Sequence, residues 1–176
     1  MAPTKQLFIL RHAKSSWDDP GLEDHERPLA PRGRRAVKAL CEHFRAETID
    51  PDMILCSSAR RTKETLEGIG LHARTQIEDE LYSASPAQLL ERLQRLGDEV
   101  GSVMVIGHNP AMQVLVLRLA SRTASSELDD SWLADVKRKF PTGAVATLAF
   151  EGEWSDLAPG RARLVAYVRP RQLVSG

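Results

Sequence analysis

The sequence predicts a three-layer α/β/α domain, in which helices cover both faces of a mostly parallel central sheet. Short apolar runs typical of buried strands alternate along the chain with longer segments whose apolar residues recur at helical spacing. The run at residues 7–10 is apolar at every position, as in a strand that is buried on both faces. A similar run at residues 103–106 supports the same fold class.

The expected elements follow one another in order along the chain. Strands are predicted near residues 5–11, 52–56, 102–107, 143–150 and 162–169, with a weaker strand near 73–77. Helices are predicted at 31–44, 60–69, 86–96 and 110–120, and each begins near a proline or a pair of serines. Residues 121–130, rich in serine and acidic residues, are predicted to form a solvated loop before a short helix around 132–137. We expect residues 1–176 to form a single domain, because no linker or second core is needed at this length.

Composition and charge exclude several classes of function. Lys plus Arg (24) equals Asp plus Glu (24), so the molecule has no overall field that would attract nucleic acid or an anionic membrane. No segment has the length of a membrane span, and residues 1–6 lack the apolar stretch of a signal peptide. Cys41 and Cys56 form neither a disulfide framework nor a CxxC pair. We therefore expect a cytoplasmic protein that binds neither nucleic acid nor membranes.

Basic residues and histidines follow three of the predicted strands. In chain order they are Arg11 with His12, Arg60 with Arg61, and His108. Because ligands of open α/β sheets gather outside the carboxyl ends of the strands, these side chains are expected to converge. Arginines and imidazoles would repel one another there without an anion, and a tetrahedral phosphate supplies both the negative charge and the acceptor oxygens. The pattern therefore predicts phosphoryl chemistry.

Four segments carry a resemblance to a known family. They are residues 10–17 (LRHAKSSW), 29–36 (LAPRGRRA), 56–65 (CSSARRTKET) and 105–110 (VIGHNP). In this order they resemble the four blocks of the histidine phosphatase superfamily, also called phosphoglycerate mutase-like, and the similarity covers most of residues 5–115. Within the superfamily, residues 11–17, 27–29, 81–84 and 139–143 make the chain most similar to the small bacterial SixA-like phosphohistidine phosphatases. The resemblance implies the phosphoglycerate mutase-like fold.

Residue chemistry and the resemblance suggest the same roles for four side chains. A neutral His12 can attack phosphorus in line, which splits hydrolysis into phosphoryl transfer to the enzyme and release to water. Arg11 and Arg61 would hold the equatorial oxygens, and a protonated His108 would donate where charge spreads in the transition state. The resemblance likewise implies that His12 is the nucleophile and that Arg11, Arg61 and His108 form the phosphate pocket. Since the arginines supply the positive charge that a metal would bring, we expect no metal site and no cofactor.

Three assignments near these residues stay open. The family pattern, counted from Ser57, places its arginine at Arg61, and Arg60 is the alternative. Adjacent side chains on a helix point ~100° apart, so only one of the two can turn inward. Ser15 is expected either to donate to the phosphate or to cap a turn. Asn109 is expected to be a further phosphate or substrate ligand.

The sequence offers no clear proton donor for the leaving group. An alkoxide leaving group needs a protonated acid nearby, whereas the imidazole of phosphohistidine is a far better leaving group. Asp79 and Glu80 precede Tyr82 without the glycine-containing loop of the mutases, and either is a candidate donor. We therefore expect a phosphatase that acts on phosphohistidine in a protein partner. The alternatives are a phosphatase of small phosphomonoesters and a non-catalytic phosphoprotein-binding module. The oligomeric state is open, with a monomer possible.

The other histidines and a run of arginines have simpler interpretations. His25, His43 and His72 do not follow a predicted strand and are expected at the surface. Arg32, Arg34 and Arg35 form a charged run that is usually a solvated helix face, although such a run can also dock an acidic partner.

Overall fold

The structure, a computed structural model, describes residues 2–120 and 127–174. At its centre is a six-stranded sheet in the order β3-β2-β4-β1-β5-β6. The strands are β1 (Thr4–Arg11), β2 (Met53–Ser57), β3 (Arg74–Glu78), β4 (Ser102–Gly107), β5 (Val145–Glu151) and β6 (Arg163–Val168). The first four strands pair in parallel, and β5 and β6 are antiparallel to their neighbours. The prediction of a mostly parallel sheet is confirmed.

Helices cover both faces of this sheet. They are α1 (Pro31–Ala46), α2 (Arg60–Ile69), α3 (Pro86–Gln94), α4 (Ala111–Leu119), α5 (Glu127–Arg138) and α6 (Pro170–Leu173). Alternate residues of β1 enter different cores: Leu7 and Ile9 pack with residues of α3 and α4, whereas Phe8 and Leu10 pack with residues of α1 and α2. Because both faces are buried there, the strand can be apolar at each of residues 7–10. None of the helices in the described part of the chain is long and apolar enough to span a membrane.

One element begins earlier than the sequence suggests. Residues 127–130 were expected in a solvated loop, and that prediction is wrong because α5 already starts at Glu127. Acidic residues such as Glu127 and Asp130 suit the first turn of a helix, where they interact favourably with its dipole. An acidic composition therefore did not distinguish a loop from a helix start here. Residues 121–126, the rest of the predicted loop, lie outside the described residues.

Candidate active site

The carboxyl ends of three parallel strands meet at one edge of the sheet. Arg11 of β1 pairs with Gly107 of β4, and Ser57 ends the neighbouring β2. His12 and His108, which follow β1 and β4, lie with their ring centroids 5.3 Å apart. These histidines line a cavity of about 220 Å³, the phosphate cavity, together with Arg11, Lys14, Ser15, Trp17, Arg27, Arg61, Asn109 and Thr142. The lining contains four cations and no carboxylate, which suits an anionic ligand.

His12 is held in one orientation and one tautomer. Its Nδ1 lies 2.7 Å from the carbonyl oxygen of Ala13, and since a carbonyl only accepts, Nδ1 carries the proton. The backbone N–H of Gly143 donates to the carbonyls of Arg11 and His12, at 3.0 and 2.9 Å. Gly143 adopts a φ of 78°, a conformation that favours glycine. Because the proton is on Nδ1, Nε2 of His12 keeps its lone pair.

The environment of His12 also keeps its ring neutral. The residue is only 6% exposed, and burial lowers the pKa of His12 to about 3, with the charges of His108, Arg61 and Arg11 acting in the same direction. A neutral ring with a lone pair on Nε2 can act as a nucleophile at ordinary pH.

His108 faces the same cavity and is also neutral in the absence of an anion. Its Nε2 lies 2.8 Å from Ser57 Oγ, and its Nδ1 lies 3.5 Å from Arg61 Nη2. Burial lowers the pKa of His108 to about 4, and nearby Arg61 and Arg11 contribute to this shift. A bound phosphate dianion would raise this pKa again, because a neighbouring negative charge favours the protonated ring.

Arg11 has spare hydrogen-bonding capacity. Its Nη1 donates to the carbonyl of Phe140 at 3.0 Å. Its Nε is buried and has no hydrogen-bond partner among the described residues. Burial, and then the charge of Arg61, lower the pKa of Arg11 below the usual value, although an arginine remains charged in a protein. A buried N–H without an acceptor is costly, and an oxyanion in the cavity would supply one.

The structure separates the two adjacent arginines of α2. Arg61 is 7% exposed and lines the phosphate cavity, whereas the side chain of Arg60 is 47% exposed and bonds to Glu64 at 3.1 Å. The first turn of α2 is fixed by the Thr62 hydroxyl, which donates to the carbonyl of Ser57 at 2.7 Å. Arg61 is therefore the arginine in contact with the cavity, as the family pattern predicts.

A carboxylate that was not among the predicted site residues holds Arg61 in place. Asp24 accepts from Arg61 Nη2 through its side chain at 2.9 Å and from Nη1 through its carbonyl at 2.7 Å. It also accepts from Arg27 Nη1 at 2.9 Å and from the hydroxyl of Tyr82. The bond from Tyr82, followed by those from Arg61 and Arg27, holds the pKa of Asp24 well below its usual range. Asp24 is therefore an ionised anchor for two arginines.

Arg27 is the second site residue that was not predicted. It is buried, donates from Nε to the carbonyl of Ser16 at 3.0 Å, and from Nη2 to the hydroxyl of Ser15. Its guanidinium stacks on the exposed ring of Trp17, 3.2 Å from the centroid. The spacing of Asp24 and Arg27, three residues apart in one short turn, is the sequence signal that could have identified this pair.

Ser15 and Asn109 both line the cavity, and each already forms hydrogen bonds within the protein. Ser15 accepts from Arg27, as described above. Asn109 Nδ2 donates to the carbonyl of Phe140 at 2.9 Å, and its Oδ1 accepts from the backbone of Gln113 at 3.3 Å. Asn109 thus links the loop after β4 to Phe140. Its predicted contact with the substrate stays a prediction.

The candidate proton donors do not line the phosphate cavity. Asp79 and Glu80 are exposed in the short turn after β3. The neighbouring Tyr82 instead approaches the site, with its ring 5.4 Å from that of His108. His25, which was expected at the surface, is half-buried: its Nε2 lies 2.9 Å from Ser58 Oγ, and its ring lies 4.8 Å from that of Tyr82.

Metal ligands are not grouped in the described structure. Within residues 2–120 and 127–174, no three His, Cys, Asp or Glu side chains form a group that could hold a metal ion. The positive charge at the sheet edge comes from arginine and lysine side chains.

Comparison with known proteins extends the similarity over nearly the whole chain. Residues 7–82 match the model of the histidine phosphatase superfamily (branch 1). The uncharacterised protein Rv1276c of Mycobacterium tuberculosis is 39% identical over 163 residues, which are 92% of this chain and 100% of the relative. The phosphohistidine phosphatase SixA of Escherichia coli is 30% identical over 142 residues, which are 72% of this chain and 87% of that protein. The structure of a candidate phosphohistidine phosphatase SixA from Nakamurella multipartitia matches with a TM-score of 0.84 and 31% identity, covering 96% of this chain and 98% of that one.

Proposed function

Because the chain belongs to the histidine phosphatase superfamily and has its phosphoglycerate mutase-like fold, we propose that this phosphatase dephosphorylates phosphohistidine on a protein. The observation that carries the proposal is a neutral His12, with a lone pair on Nε2, in a cavity that is lined by cations and lacks a carboxylate. Such a site can accept a phosphoryl group, and among the described residues no carboxylate lines the cavity to protonate a leaving group.

The first step transfers the phosphoryl group to His12. The Nε2 lone pair forms the new P–N bond as the bond from phosphorus to the substrate imidazole breaks. Arg11, Arg61 and a His108 protonated by the approach of the phosphate would neutralise charge on the equatorial oxygens. A substrate ring that is protonated on its other nitrogen departs as neutral imidazole, so no enzyme acid is needed.

The second step returns His12 to its starting state. The carbonyl of Ala13 keeps the proton on Nδ1, so phosphorylated His12 is an imidazolium, which is a good leaving group. Water attacks phosphorus, the P–Nε2 bond breaks, and inorganic phosphate is released.

An accessible cavity suits a phosphohistidine that is carried on a protein. Trp17, which lines the cavity, has 70% of its surface exposed, and the exposed Asp79 and Glu80 are not among the lining residues. A cytoplasmic location is part of the proposal, and the free Cys41 and Cys56 are in keeping with a reducing compartment.

The substrate class can be tested by comparing kcat/KM for three kinds of substrate. A phosphohistidine peptide should exceed phosphoglycerate or a sugar phosphate by at least about a hundredfold, with an aryl phosphate between them. The His12→Ala variant is the control for contaminating phosphatases. If alkyl phosphomonoesters are the better substrates, the enzyme is a small-molecule phosphatase, and if no substrate is turned over, it is a binding module.

We also propose that turnover needs no metal, because the arginines supply the charge that a cation would bring. Activity should survive incubation with EDTA. Loss of activity that a divalent metal restores would contradict this.

A further inference from the structure

A strongly basic cleft adjoins the phosphate cavity. It has a volume of about 720 Å³ and lies between the start of α1, the segment before β5, and α6. Six of its lining residues are cations, and none is acidic: Lys14, Arg32, Arg35, Lys139, Arg169 and Arg171. We refer to the surface lined by these six residues as the basic cleft.

The cations of the basic cleft lack carboxylate partners. In the part of the chain that the structure describes, none of the six forms a salt bridge, although the protein as a whole has equal numbers of acidic and basic residues. Arg169 also has a buried Nε without an acceptor. The structure therefore concentrates unpaired positive charge in one concave surface.

Two of these cations lie where a helix alone would disfavour them. Arg32 and Arg35 lie near the amino end of α1, whose first turn contains no acidic residue. The dipole of a helix makes positive charge unfavourable at this end, so these arginines do not stabilise α1. An anion bound in the basic cleft would offset both this effect and their mutual repulsion.

The basic cleft is continuous with the phosphate cavity. Lys14 and Thr142 line both. A substrate whose phosphoryl group is bound between Arg11 and Arg61 would therefore extend directly into the cleft. The cleft is also about three times as large as the phosphate cavity, since their volumes are about 720 and 220 Å³.

We propose that the basic cleft binds an acidic segment, rich in Asp and Glu, next to the phosphohistidine of the substrate protein. This inference rests on the proposed function. The lining favours a peptide over a nucleic acid because it offers no aromatic side chain on which a base could stack. Its uncharged residues, which include Ala36, Pro141 and Val174, suit the aliphatic parts of peptide side chains.

The test replaces two cations of the basic cleft with acidic residues and leaves every residue that lines the phosphate cavity unchanged. The Arg32→Glu/Arg35→Glu variant places acidic residues near the amino end of α1, which the helix tolerates well. The matched control, Lys38→Glu/Arg45→Glu, makes the same change in charge on the same helix, at residues that line a different cavity. Thermal unfolding should show that both variants are folded.

Three substrates distinguish binding in the basic cleft from catalysis in the phosphate cavity. They are two phosphohistidine peptides, one with acidic and one with neutral flanking residues, and an aryl phosphate. The wild-type enzyme should prefer the acidic peptide by about tenfold or more in kcat/KM, and higher salt should reduce this preference. Reversal at Arg32 and Arg35 should abolish the preference and change aryl phosphate turnover by less than about twofold, while the control variant should retain the preference.

Each contrary outcome has a distinct meaning. Equal turnover of both peptides by the wild-type enzyme, or a preference that survives reversal at Arg32 and Arg35, would overturn the role of the cleft. Failure to hydrolyse either peptide would overturn the proposed function instead.

In that case, the fluorescence anisotropy of a labelled, unphosphorylated acidic peptide still tests the cleft, because binding of the peptide should be lost only in the Arg32→Glu/Arg35→Glu variant. Tighter binding of a DNA oligonucleotide of equal charge would identify a nucleic-acid site and refute the peptide assignment.

Discussion

The phosphate cavity and the basic cleft share Lys14 but use positive charge in different ways. In the cavity, Arg61 and Arg27 are fixed by Asp24, and Arg11 is fixed by the carbonyl of Phe140. In the cleft, the cations have no carboxylate partner among the residues that the structure describes, and most of these cations are exposed. Fixed donors stabilise a transition state because they do not have to reorganise, whereas exposed charges attract an anion through a field that salt screens. We expect substitutions in the cavity to change catalysis, and substitutions in the cleft to change the choice of substrate.

The largest difference in kcat/KM is expected between substitutions of the two adjacent arginines of α2. Arg61→Ala should cost on the order of 3 kcal/mol of transition-state stabilisation, about a hundredfold or more in kcat/KM, because a fixed donor is lost. Arg60→Ala should cost less than about threefold, since Arg60 does not line the phosphate cavity and pairs with the half-buried Glu64 on the same helix. Steady-state kinetics with an aryl phosphate measure both values. Reversed losses would place the substrate at Arg60.

Replacing Asp24 should weaken catalysis but strengthen the binding of phosphate. Asp24→Asn removes the charge that anchors Arg61 and Arg27, so we expect kcat to fall by about tenfold. It also removes a negative charge near the cavity, so inorganic phosphate should inhibit a few-fold more strongly. Inhibition constants and kcat from one series of assays give both quantities. Weaker phosphate inhibition with an unchanged kcat would show that Asp24 does not position the arginines.

The two site histidines, His12 and His108, should make the free enzyme less stable in mild acid. The folded-state pKa values of His12 and His108 are lowered to about 3 and about 4, so between pH 6.5 and 4 the unfolded chain binds more protons than the folded protein. Stability is therefore lost as the pH falls, by about 2 kcal/mol for each histidine between pH 7.5 and pH 5. Because the pKa of Asp24 is lowered as well, its own contribution is lost only at more acidic pH.

Urea unfolding at pH 7.5 and pH 5 measures this effect. His12→Gln should remove about half of the combined loss, while the exposed His72→Gln serves as the control. The same pH dependence in the His12→Gln variant and the wild type would contradict a neutral His12.

The smallest effect on turnover is expected from substituting the acidic residues after β3. Asp79→Asn and Glu80→Gln should each change phosphohistidine turnover by less than about twofold, because the leaving imidazole needs no acid and both carboxylates are exposed. Assays at one saturating and one low concentration of peptide would detect an effect on kcat or on kcat/KM. A loss of tenfold or more in either variant would identify a proton donor that moves into the site.

The sequence predicts those site residues whose position depends on a strand end. Buried strands appear as apolar runs, and parallel strands bring their carboxyl ends to one edge, so the convergence of His12 and His108 could be predicted. The bond between Asp24 and Arg61 could not, because the two residues lie 37 positions apart and meet only in the folded protein. Similarly, the hydrogen bond from Asn109 to the carbonyl of Phe140 joins two segments that only folding brings together.

The central claim is that His12 carries the phosphoryl group, and trapping the intermediate tests it most directly. Rapid acid-free quenching of the enzyme with a ³²P-labelled substrate should give a protein-bound label that is stable in base and lost in acid, as expected for phosphohistidine. The His108→Ala variant should still form this intermediate, although more slowly, whereas the His12→Ala variant should form none. Peptide mapping should place the label on His12. Base-stable labelling that persists in the His12→Ala variant, or a label mapped to another residue, would contradict the account.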